Sequence, residues 1–485
     1  MPQWLTDAWP WIASAVSTGL SIVASLHVVQ HKREPRAAIG WVGLIWFVPY
    51  LGVLMYFLFG INRIQRKAAR LRRQRQRSRP KSEKTAAPDS VEALARTIGP
   101  EASHLHALAQ LVGNLTAESL VPGNRVTPLR NGEKAYPAML AAINGAKHSI
   151  ALSTYIFDND RVGSRFIEAL GSAAARGVDV RVLIDDVGVH YSWPTVVGPL
   201  RRAGVHAALF LPKLLPWYSA YFNLCNHRKV LVTDGRIGFT GGMNIREGHD
   251  LTLNARHPVQ DMQFQVEGPV VEQLQEVFAS DWHFCTNEDI KGDAWFPRNE
   301  PTGEVPARGI ASGPDDNYEK LKMTFLGALT CARERVRIAT PYFLPDVALV
   351  ASLGAAALRG VQVDILLPVR NNLRLVQWAS TAMLDQVLEH GCRVWLNPEP
   401  FDHTKLLVVD GAWVLLGSAN WDPRSLELNF EFDLECYDTA LAGQLEAVIA
   451  DKMSRGRRVT LDDLAKRSLP VRLRDGIAWL FTPYL

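Results

Sequence analysis

Two long apolar runs open the chain, and segments of helix period and strand period alternate through the rest. Residues 9–30 contain no Asp, Glu, Lys or Arg, and residues 37–61 contain no charged side chain at all. Each run is long enough for a helix to cross the hydrocarbon core of a bilayer, which takes about 20 residues. In the second run Trp41, Trp46, Tyr50 and Tyr56 suit the headgroup interface, and Pro49 predicts a kink. No Lys or Arg precedes Lys32, so the first run lacks the basic stretch of a cleaved signal and reads as a retained anchor. Residues 1–62 are therefore expected to form a transmembrane helical hairpin.

Residues 61–84 hold eleven Lys or Arg against one Glu. A block this basic is expected on the cytoplasmic side, together with all that follows it. Two full spans would then force Lys32, Arg33 and Arg36 outward against the same rule. The alternative is a hairpin that does not fully cross. Residues 63–90 read as a polybasic linker, polar from 78 to 90 with Pro80 and Pro88. Residues 91–120 carry helical apolar spacing (Leu94, Ile98, Leu105, Leu108, Leu111, Leu115) and are expected to dock on the first half of the body.

In that body the pattern predicts helix over 138–146, strand over 149–157, helix over 164–176 and buried strand over 178–184. The order returns as helix over 325–333, strand over 336–343, helix over 348–359 and strand over 361–367. RGVDVRVLI matches RGVQVDILL, and LSTYIF matches IATPYF. The fold class is thus α/β: two similar halves, 91–294 and 315–485, each with a parallel-rich sheet, joined by a Pro- and Gly-rich connector over 295–314. Residues 189–223 show no counterpart in the second half. Within them FLPKLLPWYSAYF, residues 210–222, reads either as a core loop or as an apolar lip at a membrane.

The net charge of +4 is smaller than that of the basic block alone, so the rest of the chain is net acidic. That balance points to an anionic surface beside the block, and away from a nucleic-acid groove in the body. The five cysteines (Cys225, Cys285, Cys331, Cys392, Cys436) are odd in number without C-x-x-C spacing, and read as reduced thiols.

One sequence is written twice. Residues 226–244 read NHRKVLVTDGRIGFTGGMN, and residues 402–420 read DHTKLLVVDGAWVLLGSAN. The shared positions are His227, Lys229, Asp234, Gly241 and Asn244, then His403, Lys405, Asp410, Gly417 and Asn420. Strand alternation puts each His and Lys on one face, and Asp-Gly marks a tight turn after it. Gly241 with Gly242, and Gly417 with Ser418, are expected to let backbone approach a ligand. An imidazole attacks phosphorus or carries a proton, an ammonium holds anionic oxygen, and an Asn amide adds a neutral donor. A chance match of His, Lys and Asp at fixed spacing is on the order of one in 10,000 per position. A second match with the same tail makes coincidence untenable.

At these residues the chain resembles the phospholipase D superfamily and, within it, the bacterial cardiolipin synthases. YIFDND, SGPDD, TPYFLPD, GSANWDPRSLELNFE and LFTPYL extend the resemblance over nearly the whole chain. It implies one active site between two similar halves and a phosphohistidine intermediate, with no metal or other cofactor. Asp261 and Glu431 follow the two motifs, where the family has a carboxylate that pairs with the motif His. Asp234 and Asp410 are expected to hold the motif loops and lysines in place. FDHTK stands where the family usually has FLHAK, so Asp402 is expected to alter the basicity of His403.

The implied activity is phosphatidyl transfer between two phosphatidylglycerols, giving cardiolipin and glycerol at the bilayer of a bacterial inner membrane. His227 is the expected nucleophile and His403 the proton carrier. Lys229, Lys405, Asn244 and Asn420 would bind the phosphate. The alternatives are a phospholipase D acting on other lipids, phosphatidylethanolamine included, a nuclease of the same superfamily, and a non-enzymatic scaffold. The oligomeric state, a homo-oligomer included, is open.

Overall fold

The computed structural model describes residues 3–32, 35–60, 99–116, 118–212, 224–314 and 319–482. The basic block and linker, residues 91–98, and most of the 210–222 segment lie outside the described residues. The described chain divides into two compact units, the N-terminal helices up to residue 60 and the body from residue 99 onward.

In the first unit the helix Gln3–His31 contains a 24-residue stretch, Ala8–His31, long and apolar enough to cross a membrane. The second apolar run is not one helix. It forms Pro35–Phe47 and Pro49–Met55, broken at Val48 (φ −136°, ψ 72°), because Pro49 forces the residue before it out of the helical region. A Cβ on Gly52 would collide with the backbone of Leu44 and Ile45, so the two pieces pack on each other. Their partners along the first helix confirm the reversal. Trp46 Nε1 donates to Ser25 Oγ (3.1 Å), whereas Tyr56 returns to His27, its hydroxyl 2.7 Å from Nδ1. The expected second span is thus corrected to a segment that runs partway along the first helix and turns back.

The body is built on one sheet of fifteen strands. In chain order the strands are β1 (Val121–Arg130), β2 (Ser149–Thr154), β3 (Asp179–Asp185), β4 (His206–Phe210), β5 (Val230–Thr233), β6 (Ile237–Gly241), β7 (Val259–Gln260), β8 (Met262–Glu267) and β9 (Val305–Ser312). The second half supplies β10 (Arg335–Ala339), β11 (Gln362–Pro368), β12 (Arg393–Asn397), β13 (Phe401–Asp402), β14 (Leu406–Val409), β15 (Trp413–Gly417), β16 (Glu431–Tyr437) and β17 (Arg457–Val459). The order is β17-β12-β11-β10-β14-β15-β16-β9-β1-β8-β6-β5-β2-β3-β4, with β7 and β13 paired separately. Each half has three parallel strands (β2, β3, β4 and β10, β11, β12) followed by an antiparallel run.

The repeated phrases have local causes. Asp160 and Asp346 cap the helices Arg161–Ala175 and Val347–Leu358 by accepting from Gly163 N and Leu349 N. Arg176 and Arg359 end those helices and donate to carbonyls at the end of the preceding helix, among them Ile143 O and Leu329 O. Gly177 and Gly360 then take the positive φ, 88° and 93°, that an ordinary residue resists.

Three expectations change. The connector contains β9, a strand at the seam of the sheet, paired with β1 on one side and β16 on the other. Gly309 in it leaves space for the Phe432 ring, which is why a turn-like sequence lies in a buried strand. The helix His106–Thr116 docks on the second half, not the first. Leu105, Leu108 and Val112 join Phe325, Ala328 and Leu329 in one core, and Leu108 and Leu111 crowd Gly327. Finally, residues 197–210 do have a counterpart: the helix Val197–Arg202 and β4 match the helix Arg374–Leu388 and β12, each strand parallel to its neighbour.

Candidate active site

Regular strand begins only at Val230 and Leu406, one residue after each motif lysine. The imidazoles therefore sit on extended lead-ins, not within the strands that side-chain alternation suggests. Each lead-in pairs with the other half. His227 N donates to Phe430 O (2.9 Å) and Phe430 N to Cys225 O (2.9 Å), while β13 pairs with β7 and His403 N donates to Gln260 O (2.8 Å). Phe430 and Gln260 are the residues before Glu431 and Asp261.

The carboxylate pairing consequently crosses between halves. His227 Nδ1 lies 3.0 Å from both Glu431 oxygens, and His403 Nδ1 lies 2.8 Å from Asp261 Oδ2. With Nδ1 held, Nε2 of each ring is the atom left for chemistry. Burial pushes Glu431 up, but His227, Lys229 and Ser418 Oγ (2.6 Å) outweigh it, and the carboxyl lies below its usual range. Burial keeps Asp261 raised even beside Lys405.

The two imidazoles and two lysines of the motifs influence one another electrostatically. Burial lowers His227, with Glu431 opposing, and burial followed by Lys405, Lys229 and His227 holds His403 well below the ordinary imidazole value. The crossed pairings set each motif imidazole against a carboxylate of the other half. Lys229 and Lys405 each donate to the carbonyl of their own motif His (2.6 and 2.5 Å), and burial brings them down to about 7 and about 8. Asn244 Oδ1 accepts from Ile156 N (3.1 Å), which leaves its Nδ2 as the donor. Asn420 Nδ2 donates to Ser425 Oγ (3.2 Å), and its buried Oδ1 has no partner.

The small residues serve the carboxylates. A Cβ on Gly242 would fall 2.5 Å from Asp261 Oδ1, and one on Gly417 would strike Asp433 Oδ1. Gly241 (φ 149°) crowds Met262 O. These positions let the segment bearing each carboxylate come close.

Asp234 and Asp410 are not brought to the cluster. Asp234 accepts from the backbone N–H of Lys147, His148 and Ser149, and Asp410 from those of Arg333, Glu334 and Arg335 as well as His104 Nε2 (2.7 Å). Each sits in a hairpin turn with positive φ (51°) and fastens that turn to the start of β2 or β10. Asp402 is also accounted for: burial would raise its pKa, but the Lys452 ammonium at 2.7 Å lowers it. It fills the place that Asn226, bonded to Asp281, takes in the first half.

Three residues near the rings lie outside the two repeated His-Lys-Asp stretches. Tyr155 meets His227 edge to face (5.2 Å between centroids) and lies under Lys229, and Tyr342 stands 6.3 Å from His403. His249, 2% exposed, lies 6.4 Å from His403, with its Nδ1 buried and unpartnered. Burial brings it down to about 3, so it is a neutral imidazole. Among the described residues no group of three or more His, Cys, Asp or Glu is placed to hold a metal ion.

The chain resembles known proteins over nearly its whole length. The family described as "Cardiolipin synthase, PLD-like domain" matches residues 139–282 and 325–453, and "Phospholipase_D-nuclease N-terminal" matches 19–60. The chain is 33% identical to cardiolipin synthase A of Pseudomonas putida (strain GB-1) over 467 residues, 96% of each protein. It is 30% identical to the cardiolipin synthase of Geobacillus thermodenitrificans (strain NG80-2) over 477 residues, 97% of this chain and 93% of that protein. In fold, the crystal structure of phosphatidylserine synthase from Haemophilus influenzae Rd KW20 covers 78% of this chain and 100% of its own, with a TM-score of 0.61 at 15% identity. With both halves and the N-terminal region matched, and full-length relatives of the same description, the chain belongs to the cardiolipin synthase family of phospholipase D-like proteins.

Proposed function

We propose that the protein is a phosphatidyltransferase that makes cardiolipin from two phosphatidylglycerols. The crossed imidazole–carboxylate pairs carry the reading: two Nε2 atoms, one from each half, are left free beside two lysines. Binding of the phosphate anion favours protonation of His403; His227 Nε2 then attacks phosphorus, the P–O bond to the headgroup glycerol breaks, and the His403 imidazolium protonates the departing oxygen. The phosphatidyl–His227 intermediate then meets a second phosphatidylglycerol. His403 takes the proton of its primary hydroxyl, the new P–O bond forms, and cardiolipin leaves with His227 restored.

The partners suit these roles. Glu431 is ionised and bonded by Ser418 and Asn429, so it steadies positive charge on a phosphorylated His227. Asp261, with its raised proton affinity, suits an imidazole that gains and loses a proton in each cycle. Lys229, Lys405 and the amides of Asn244 and Asn420 bind the phosphate oxygens and stabilise the charge that builds up on them. One phosphodiester is exchanged for another, so the step needs no nucleotide. Purified full-length protein with phosphatidylglycerol vesicles should release cardiolipin and glycerol in equal amounts. Phosphatidic acid as the main product would make it a phospholipase D.

The folded-back segment supports one membrane arrangement: with Tyr56 against His27, Lys32 and residue 60 lie toward the same end of the first helix, which we assign to the cytoplasmic face of a bacterial inner membrane. An impermeant thiol reagent applied to intact cells should spare Lys32→Cys and label Asp7→Cys. Labelling of position 32 from outside would restore the two-span hairpin.

A further inference from the structure

The helix Leu469–Leu480 turns its apolar face outward. Its inner side, with Asp475 and Ala478 buried, packs along the helix Arg374–Leu388, where the Arg474 guanidinium lies 4.4 Å over the Trp378 ring. Leu469, Leu473, Ile477 and Leu480 are 67%, 57%, 58% and 67% exposed. At 100° per residue they form a stripe about 80° wide. Arg472 and Arg474 border it on either side. The acid of this helix, Asp475, is buried and paired with Arg467 and Arg474 (2.7 and 2.6 Å). An apolar stripe edged by Arg472, with Arg474 on the other side paired to Asp475 and no acid facing out, matches a surface that is hydrocarbon below and negatively charged above.

A second exposed apolar pair lies nearer the imidazoles. Leu373 and Leu375, at the start of the supporting helix, are 49% and 51% exposed. Beside them Asn372 Oδ1 accepts from the hydroxyl of Tyr342, the ring next to His403. We propose that this face docks the catalytic body on an anionic bilayer, with the stripe in the headgroup–acyl boundary. It rests on the reading that the substrate is drawn from that bilayer. Substrate lipid then reaches the site laterally, past Leu373 and Leu375, without being lifted through water.

The test uses the full chain reconstituted in phosphatidylglycerol vesicles. Leu473→Glu with Ile477→Glu should cut cardiolipin formation from vesicle lipid roughly tenfold, while conversion of dispersed short-chain phosphatidylglycerol stays within about twofold of the unsubstituted protein. Equal loss on both substrates, or no loss on either, overturns the proposal. Leu473→Cys carrying an environment-sensitive dye gives a reading that does not depend on turnover. Its emission should shift blue with vesicles and be quenched by spin-labelled acyl chains. Emission of a water-exposed dye overturns docking, and a blue shift in lipid-free detergent that grows with protein concentration assigns the face to a second copy. If the unsubstituted protein makes no cardiolipin, the proposed function fails while the dye still decides the docking.

Discussion

Glu431 and His227 are 204 residues apart in sequence, yet both oxygens of the one lie 3.0 Å from Nδ1 of the other. His403 and Asp261 repeat the relationship in the opposite direction across 142 residues. Neither motif imidazole finds its carboxylate in its own half, so each pair is completed only where the halves join.

Removing the charge while keeping the shape isolates that join. Glu431→Gln and Asp261→Asn should each lower kcat by roughly 10²–10⁴-fold, by losing the ring's orientation and the charge that stabilises its protonated or phosphorylated form. Thermal melting should change little by comparison. Melting that collapses in step with activity would make these carboxylates structural.

Steric change next to the carboxylate should act in the same way. Gly242→Ala puts a methyl 2.5 Å from Asp261 Oδ1, which has to move and take the His403 contact with it. A displacement of about 1 Å at such a contact costs on the order of 10²-fold in kcat. A variant with full kcat would show that Asp261 does not set the position of His403.

Asp234→Ala and Asp410→Ala should behave in the opposite manner. Each removes an acceptor for three backbone N–H groups, and Asp410 loses His104 as well. Stability should fall by about 1–3 kcal/mol, more at Asp410, with folded protein still active. Denaturant melts paired with active-site titration check this, and loss of chemistry in stable protein would return these residues to the site.

The depressed lysines set an alkaline limit. Lys229 at about 7 and Lys405 at about 8 are charged below those values and neutral above, and only the charged form neutralises phosphate. In the free enzyme kcat/KM should therefore decline from about pH 7 to 8 upward. A bound phosphodiester anion favours the ammonium, so the corresponding limb of kcat lies at higher pH. His227 attacks as the neutral ring and is lowered, so the acid limb should lie below the ordinary histidine value, while His403 takes up its proton in the complex, where the bound phosphate anion favours it. A kcat/KM profile flat to pH 10 would contradict this arrangement.

What the sequence conveyed was whatever is local and repeated. The helix–strand order of each half and the Asp-Gly turns follow from side-chain period and turn chemistry. The crossed pairing was not legible, because linear order sets each carboxylate after its own motif and the exchange through β7 and β13 is a tertiary event. β9 was hidden by Pro306 and Gly309, residues that signal a loop unless a neighbouring ring, here Phe432, needs the space. The apolar spacing of His106–Thr116 announced a buried face but not which half covers it. His249 occurs once, so repetition could not mark it. The reversal at Val48 was visible only as a proline, and its sharpness depends on Gly52 meeting Leu44.

The most direct test traps the covalent intermediate. Full-length protein with phosphorus-labelled phosphatidylglycerol is quenched rapidly, and the labelled peptide is mapped. The label should sit on His227 in the unsubstituted protein, accumulate there in His403→Ala when the lipid carries a good leaving group, and be absent from His227→Ala. Cardiolipin formation by either single variant at the normal rate, or label found on neither ring, would contradict two imidazoles from separate halves acting on one phosphate.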